Sequence, residues 1–339
     1  MRLTELDYDL PEELIAQEPI ADRDAARLLV LDRRSGAVTH SRFYKLGRLL
    51  REGDLLVLNN TRVFPARLKT RKESGGAVEL LLVRRADTPP GAWIALARSH
   101  RTLRDGTRLL LADGRALRVV GQHRPGRPLV MGDAGVAMED LIAAAGVPAL
   151  PHYIRRPPGP ADLTEYQTVY AEPAGAIAAP TAGLHFTQAL LGELAAAGIR
   201  NTVLTLHIGP GTFTPVRAAE VEGHSMEAEW YTIPPAALAA IDSTRRLGGR
   251  VIAVGTSSTR ALESYAITGD PEGFTGLFIA PGFRFKLADA MITNFHMPRS
   301  TVLALVMALA GRDAILAAYR EAIRHRYRFL SYGDAMLII

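Results

Sequence analysis

The segment Arg250–Ser264, RVIAVGTSSTRALES, contains a strand, a turn and the start of a helix in one short run. The apolar run RVIAVGT, residues 250–256, predicts a strand, and a helix is expected from about Ser258. Between them lies a turn rich in glycine and hydroxyl groups, which is typical of a helix start. Strands that lead directly into helices are the building units of α/β proteins. This segment therefore predicts an α/β fold.

The same alternation of strand and helix extends over most of the chain. The continuous apolar run DLLVLNNT, residues 54–61, is typical of a buried strand. Further along, IRNTVLTLHI (199–208) predicts another strand. Thr187 and Ser300 are suited to cap the helices that follow them. This pattern predicts a substantially parallel sheet with helices packed against it.

Residues 62–150 interrupt this alternation. Short apolar runs such as AVELLLVRR (77–85) are separated by Gly- and Pro-rich turns, and Asp113-Gly114 is typical of a two-residue hairpin. Such a pattern indicates an antiparallel β-barrel or β-sandwich. The predicted fold class is α/β: a discontinuous α/β domain, residues 1–61 and 151–339, with an inserted antiparallel β-barrel domain, residues 62–150.

Composition excludes several kinds of chemistry. The 339 residues include no cysteine, which excludes disulfides, a thiol nucleophile, zinc–cysteine sites and iron–sulfur clusters. The start of the chain is acidic and lacks the apolar run of a signal peptide. The longest apolar stretch, residues 301–311, is roughly half of the ~20 residues that cross a bilayer. We therefore expect a cytoplasmic protein with no membrane partner.

Positive charge is concentrated in the predicted barrel. Residues 62–132 contain fifteen Lys and Arg against five Asp and Glu, a formal charge of +10, whereas the whole chain carries +5. This asymmetry indicates a polyanionic partner for one part of the molecule. The alternative is that these side chains form only a solvated face.

The turn after residue 255 is a candidate anion site. Free amides at a helix start, together with the hydroxyls of residues 256–259, suit a phosphate or a carboxylate. Arg260 stands in the first turn and Glu263 one turn later. The segment lacks the Gly-Lys-Ser/Thr of an ATP-binding loop. Alternatively, the hydroxyls only cap the helix.

Four histidines, His185, His207, His224 and His296, each lie in a turn-rich segment of low charge. A single histidine of this kind is more often a buried structural residue than a functional one. All four, however, lie at or near predicted strand ends, which meet in one crevice of an α/β sheet. Neutral imidazoles there can donate or accept protons near physiological pH. None forms the His-x-x-x-His pair that fixes two metal ligands, so we predict no metal site.

Longer motifs identify a family. The chain resembles the S-adenosylmethionine:tRNA ribosyltransferase-isomerases of the queuosine pathway from Tyr8 to Ile338, most weakly within the barrel. The resemblance is carried by the motifs YDLPEELIAQ (8–17), GDLLVLNNTRVFPARL (53–68), YQTVYA (166–171), AAPTAGLHFT (178–187), LHIGPGTF (206–213), VGTSSTRALES (254–264), GFRFKLADAMITNFHMPRST (282–301) and YRFLSYGDAMLI (327–338).

The resemblance implies a reaction and its partners. The family transfers and rearranges the ribosyl group of S-adenosylmethionine onto 7-aminomethyl-7-deazaguanine at the tRNA wobble position, giving epoxyqueuosine and releasing adenine and methionine. It implies S-adenosylmethionine as co-substrate, with no metal and no prosthetic group, and we expect a monomer. The basic barrel is then the candidate tRNA contact, with the arginines Arg62, Arg67, Arg71, Arg84, Arg85, Arg98 and Arg101 as its backbone-binding surface.

The resemblance also suggests roles for individual residues. His185 and His207 are the leading candidates for the base that deprotonates C5′. Glu263 or Glu229 would contact ribose hydroxyls or the sulfonium. The predicted catalytic residues are His185, His207, His296 and Glu229; the predicted co-substrate-binding residues are Thr181, Gly255, Thr256, Ser257, Arg260, Glu263 and Asn294.

Within that second set, the residues have different expected partners. Arg260, with residues 256–259, would hold the methionine carboxylate. Asn294 and His296 would orient adenine or the incoming amine. The chain departs from the family pattern at Asn60, His152, Glu165 and Glu227, where aspartate, proline, arginine and histidine are usual.

Two other classes of function fit parts of the sequence. A metal-dependent RNA hydrolase with histidine and carboxylate ligands would share the basic domain and the histidine-lined crevice. A non-catalytic RNA-binding protein would explain the basic insertion but not the apolar histidine segments. Bound metal would favour the first alternative, and failure to bind an adenosyl ligand would favour the second.

Overall fold

The computed structural model of the chain describes residues 2–213 and 226–339. His224 lies outside the described residues. The strands are β1 (Arg27–Leu31), β2 (Val38–Arg42), β3 (Leu55–Asn59), β4 (Arg62–Val63), β5 (Arg67–Lys72), β6 (Ala77–Arg85), β7 (Trp93–Ser99), β8 (Arg108–Leu110), β9 (Ala116–Arg124), β10 (Arg127–Gly132), β11 (Ala174–Ala176), β12 (Arg200–Leu206), β13 (Glu229–Thr232), β14 (Val251–Val254), β15 (Glu272–Thr275), β16 (Ala290–Asn294) and β17 (Ala335–Ile338). The α-helices are α1 (Met138–Ala145), α2 (Asp162–Glu165), α3 (Gln188–Ala196), α4 (Pro235–Arg246), α5 (Thr256–Thr268), α6 (Thr301–Ala310) and α7 (Arg312–Arg324).

Within the described residues, nine strands form one mixed sheet in the order β15-β13-β12-β3-β14-β16-β17-β1-β2. Its centre is parallel: β12 pairs with β3, β3 with β14, and β14 with β16. Strands β3, β14 and β16 are buried along their whole length, as expected for a sheet covered on both sides. Leu56 and Leu58 pack with Phe43 and helix α3, whereas Leu55 and Val57 pack with helices α4 and α5. The predicted α/β fold with a substantially parallel centre is confirmed.

Local signals placed several helices correctly. The Thr187 hydroxyl accepts a hydrogen bond from the Leu190 amide and opens α3. The Ser300 hydroxyl accepts from the Leu303 amide and opens α6. Each cap satisfies an amide that has no partner within the helix. Helix α5 begins at Thr256, two residues before the expected start. Gly255 alone forms the turn between β14 and α5, so the hydroxyl residues that follow it belong to the helix.

The predicted barrel is confirmed. In the part of the chain that the structure describes, β10-β7-β6-β5-β8-β9 close into a six-stranded antiparallel barrel. Its interior contains alternate residues such as Leu80 and Leu82, with α1 packed on the same core. Strand β4 pairs with β11 of the α/β part, and Arg67 bridges to Val147. The predicted domain limits, 1–61 with 151–339 and 62–150, stay a prediction.

Among the described residues, no single helix is long and apolar enough to cross a membrane. Helices α6 and α7 meet that criterion only as a pair, across a bend of 112°.

Candidate active site

The candidate site lies at the carboxyl ends of the central strands. Strands β12, β3, β14 and β16 run parallel and end next to one another at Leu206, Asn59, Val254 and Asn294. Ligands of open α/β sheets bind at this edge. The side chain of Asn59, at the end of β3, connects the end of β12 with the start of α5. Its amide donates to the Leu206 carbonyl and to the Ser257 hydroxyl, both at 3.0 Å, and its oxygen accepts from the Leu206 amide at 3.1 Å.

A pocket opens at this edge and contains most of the predicted site residues. It is lined by Thr181, Glu229, Gly255, Thr256, Ser257, Arg260, Asn294 and His296 from the predicted set, together with Tyr153, Tyr166, Ile208, Met226, Phe278, Met297, Val302, Leu305 and Ser331. The wall is therefore mixed: hydroxyls, an amide and one ion pair face apolar side chains. Such walls suit a small organic ligand with a charged end.

Helix α5 starts in the wall of this pocket. Gly255 has φ of +90°, a conformation that side-chain-bearing residues rarely adopt, and its amide donates to the Ile292 carbonyl at 2.8 Å. Within the described residues, no side chain caps α5. Thr256 and Ser257, the first two residues of this 13-residue helix, line the pocket, and the unpaired amides and the dipole of a helix start favour an anion there.

Arg260 and Glu229 form a buried ion pair on the pocket wall. The Arg260 guanidinium donates to the Glu229 carboxylate, and it also donates to the carbonyls of Leu277 and Thr275 at 3.1 and 3.3 Å. The other oxygen of Glu229 accepts from the Gly209 amide at 2.8 Å. Glu229 and Arg260 are 5% and 6% exposed. Because the two charges neutralise each other, neither side chain is an unpaired charge in the pocket.

His296 lies on the pocket wall, whereas His185 does not. Nε2 of His296 is 2.7 Å from the Thr293 hydroxyl, and burial lowers the pKa of His296 to about 4. His185 is buried behind Asn294, with Nε2 at 3.2 Å from the Asn294 amide nitrogen, and lines a separate cavity of about 60 Å³. Burial also lowers the pKa of His185 to about 4. Both imidazoles are therefore neutral at pH 7.

His207 faces a second space, the cleft between the sheet and the barrel. Its Nδ1 is 2.8 Å from the Thr61 hydroxyl, and its ring stacks on Trp230 at 5.1 Å. The ring also lies against Gly175, where a Cβ would come within 2.5 Å of it, so only glycine fits there. Burial lowers the pKa of His207. The pocket and this cleft adjoin at Met226 and Glu229, which line both.

The cleft is aromatic and basic. Trp93, Trp230 and Phe274 line it, and Phe274 is 59% exposed. The guanidinium of Arg84 lies 5.7 Å from the Phe274 ring. Arg85, Arg124 and Arg127 complete the basic lining, whereas the predicted arginines Arg62, Arg67, Arg71, Arg98 and Arg101 are not part of it.

Arg124 and Arg127, on the barrel strands β9 and β10, contact a residue of the α/β part of the chain. Both donate to the carboxylate of Glu227, which lies just before β13. Glu227 is one of the positions that depart from the family pattern. No local sequence signal marks these two arginines, because Glu227 lies 103 residues from Arg124 and 100 residues from Arg127 along the chain.

Glu263 lies outside the pocket. It is fully buried, and its carboxylate accepts the backbone amides of Lys286, Leu287 and Ala288 at 2.7, 2.9 and 2.9 Å. The expected contact with ribose or sulfonium therefore has no geometric support. Instead, Glu263 anchors the loop before β16.

Two tyrosines of the pocket were not predicted as site residues. The Tyr153 hydroxyl is 2.7 Å from the Ser331 hydroxyl, and Tyr166 is 1% exposed. Tyr166 opens the YQTVYA motif, so the resemblance carried a signal for it. Tyr153 follows His152 in a loop, and no periodicity marks it.

One group of possible metal ligands lies elsewhere. Within the described residues, His40, Glu321 and His325 bring ligand atoms within 4.8 Å of one another. None of the three lines the pocket or the cleft. Glu321 is also bound by Arg324 at 2.6 and 2.8 Å, which competes with a metal for its oxygens.

The fold and the site define a class: an α/β protein with an added β-barrel, whose small-molecule pocket adjoins a basic cleft. A family model described as "Queuosine biosynthesis protein" matches residues 3–338. The chain belongs to this family, as its motifs predict.

Similar proteins agree over the full length. An S-adenosylmethionine:tRNA ribosyltransferase-isomerase of Anaeromyxobacter sp. (strain Fw109-5) is 51% identical over 343 residues, covering 100% of this chain and 99% of that protein. The protein of the same name from Geobacter sulfurreducens is 49% identical, covering 100% of both. The crystal structure of S-adenosylmethionine tRNA ribosyltransferase from Thermotoga maritima is 36% identical, has a TM-score of 0.57, and covers 99% of this chain and 100% of its own.

Proposed function

We propose that this protein is an S-adenosylmethionine:tRNA ribosyltransferase-isomerase of queuosine biosynthesis, with S-adenosylmethionine in the pocket and the tRNA base in the adjoining cleft. The observation that carries the proposal is the junction at Met226 and Glu229, where a pocket for a small ligand meets a basic, aromatic cleft. A transferase that joins a small molecule to a nucleic acid needs these two spaces in contact. Neither a metal-dependent hydrolase nor a passive RNA-binding protein is favoured by this arrangement.

The α5 end of the pocket suits the methionine part of the co-substrate. The methionine carboxylate would accept hydrogen bonds from the amides of Thr256 and Ser257, where the helix dipole favours negative charge. Phe278, Val302 and Leu305 offer apolar surface for the adenosyl part. Enclosure by such residues excludes water, which would otherwise hydrolyse an activated ribosyl carbon.

The buried carboxylate of Glu229 suits the sulfonium. A positive sulfur next to a carboxylate gains Coulomb energy that is largest where water is excluded. Because Arg260 already pairs with Glu229, the gain at the sulfonium would be smaller than beside an unpaired carboxylate. Glu229 also lies where the ribosyl group must pass from the pocket to the cleft.

Two histidines can take the protons that the reaction releases. His296 lies in the pocket, and its neutral imidazole can accept a C5′ proton. Burial lowers the pKa of His296 to about 4 and so weakens it as a base, which makes the acidity that the adjacent sulfonium gives to C5′ necessary for this step. His207 lies in the cleft and suits the incoming aminomethyl group, which must lose a proton before it becomes a nucleophile. His185 lies behind Asn294 and touches neither space in which the substrates meet.

The cleft suits a base taken out of its RNA stack. Enzymes that modify a base bind it against aromatic side chains, and each stacked base gains ~1–3 kcal/mol. Trp230, stacked on His207, offers such a surface inside the cleft, and Phe274 offers one at its exposed rim. Arg84, Arg85, Arg124 and Arg127 would contact the flanking phosphates. Action without a prosthetic group, as a monomer and in the cytoplasm stays a prediction from the sequence.

The test is one incubation of the purified protein with tRNA that carries 7-aminomethyl-7-deazaguanine, with ribosyl-labelled S-adenosylmethionine and with a chelator present. We expect adenine and methionine to be released and the label to appear in the tRNA. Transfer that requires an added divalent metal would favour the hydrolase class. No transfer by folded protein that binds both substrates would refute the proposed activity.

A further inference from the structure

The carbonyl oxygen of Asn294 is a buried acceptor that has no partner among the described residues. Asn294 is 2% exposed and lines the pocket. Its amide nitrogen is committed on the other side, at 3.2 Å from the Leu330 carbonyl and 3.2 Å from Nε2 of His185. An unsatisfied buried acceptor costs about 1–3 kcal/mol. At the wall of a pocket, a bound ligand can supply the missing donor to such a group.

His185 determines which way this amide points. Neutral imidazole offers one acceptor nitrogen, and Nε2 receives the Asn294 N–H. His185 stays neutral because burial lowers its pKa to about 4. With the Leu330 carbonyl also accepting from the amide nitrogen, the reversed amide would place an oxygen against two acceptors. The carbonyl oxygen of Asn294 is thereby directed away from His185.

The amide lies next to the anion-binding end of α5. Val254 and Ile292 are partners in the adjacent parallel strands β14 and β16. Thr256, the first residue of α5, and Asn294 each follow two residues later, so they occupy neighbouring positions at the sheet edge. An acceptor and a set of free amides side by side match the ammonium and the carboxylate of one α-amino acid.

We propose that Oδ1 of Asn294 binds the α-ammonium group of the methionine part of S-adenosylmethionine, and that His185 is a positioning residue that orients this amide. The inference rests on the proposed function and specifies how the protein recognises the amino-acid part of the co-substrate. It also assigns His185, a leading candidate for the base, a role that involves no proton transfer.

The first test compares ligands by calorimetry: S-adenosylmethionine and its deaminated analogue, in which hydrogen replaces the ammonium. We expect the wild-type protein to bind S-adenosylmethionine roughly tenfold to a hundredfold more tightly, as for a hydrogen bond to a charged group. Asn294→Ala should lose this preference while binding the analogue as before. Equal binding of both ligands by the wild type, or an unchanged preference in Asn294→Ala, would overturn the inference and leave the transferase proposal standing. Binding of neither ligand by the wild type would overturn both.

The second test separates positioning from proton transfer at His185. His185→Gln keeps an acceptor for the Asn294 amide, whereas His185→Leu removes it. We expect the Gln variant to retain kcat within about tenfold and the Leu variant to raise the Kd of S-adenosylmethionine roughly tenfold, without weakening the deaminated analogue. Equal loss of kcat in both variants with unchanged Kd would identify His185 as a base instead. Thermal unfolding of each variant checks that it is folded.

Discussion

The hydroxyl of Thr61 and Nδ1 of His207 lie 2.8 Å apart, at the ends of two adjacent parallel strands. A neutral His207 whose Nδ1–H donates to the Thr61 hydroxyl would keep Nε2 as the acceptor nitrogen that acts in the cleft. Thr61→Val keeps the shape of the side chain but removes the partner. We expect turnover to fall roughly tenfold or more, in the range of general-base contributions, with the Kd of S-adenosylmethionine unchanged. Single-turnover kinetics measures the first quantity and calorimetry the second; unchanged turnover would separate His207 from the chemistry.

Stability should depend on pH through His185. Its pKa is about 4 in the folded protein, below the unfolded value of 6.5. Between these values the unfolded chain binds a proton that the folded chain does not, so acid favours unfolding. The contribution is full above pH 6.5 and is lost as the pH falls to about 4, by roughly 3 kcal/mol. Urea unfolding across this range should give a flatter profile for His185→Gln than for the wild type; parallel profiles would contradict the assignment.

Glu263 should matter for stability and little for the ligand. Its carboxylate accepts three backbone amides, and in Glu263→Gln the new N–H₂ group would face one of these donors. We expect the free energy of unfolding to fall by about 2 kcal/mol, with the Kd of S-adenosylmethionine changed less than threefold. Glu272→Gln, at an exposed carboxylate on β15, is the matched control and should change stability by less than about 0.5 kcal/mol. A large loss of ligand affinity in a stable Glu263→Gln protein would place Glu263 at the pocket after all.

The cleft arginines should bind RNA in a salt-dependent way. Replacing Arg84 and Arg85 together by Gln would remove two of the proposed phosphate contacts. The affinity for tRNA should then fall, and the slope of log K against log salt should decrease by about one to two. S-adenosylmethionine binding should not change. Arg245 and Arg246, adjacent exposed arginines at the end of α4, form the control pair. Equal effects from the two pairs would mean that the RNA path is not the cleft.

Sequence patterns were sufficient for the fold and for the strand ends. Apolar runs, helix caps and turn residues are local signals, so the parallel sheet, the barrel and helices α3 and α6 followed from them. Ligands of such sheets generally bind at the carboxyl edge, so the positions of Gly255, Asn294 and His207 at or just after strand ends predicted that they lie along this edge.

Side-chain direction and long-range partners could not be obtained in this way. Glu263 lies one helical turn beyond Arg260, yet it faces the loop before β16 instead of the pocket. His185 lies in an apolar turn like those of His207 and His296, but its ring is behind Asn294. The side-chain oxygen of Asn60 accepts a hydrogen bond from the Thr205 hydroxyl at 2.7 Å, and its amide nitrogen lies 3.5 Å from the Glu172 carboxylate. An uncharged amide there avoids repulsion, a reason that only the fold reveals.

The most direct test of the two-space site is a crystal structure of the protein with S-adenosylmethionine and an anticodon stem-loop that carries unmodified guanine, which cannot accept the ribosyl group. The account predicts the methionine carboxylate at the start of α5, the ammonium at Oδ1 of Asn294, and the RNA base against Trp230 in the cleft. The sulfonium should lie beside Glu229, between the methionine part of the co-substrate and the RNA base. A co-substrate bound outside the pocket would contradict the two-space site. So would an RNA base separated from Glu229 by other side chains.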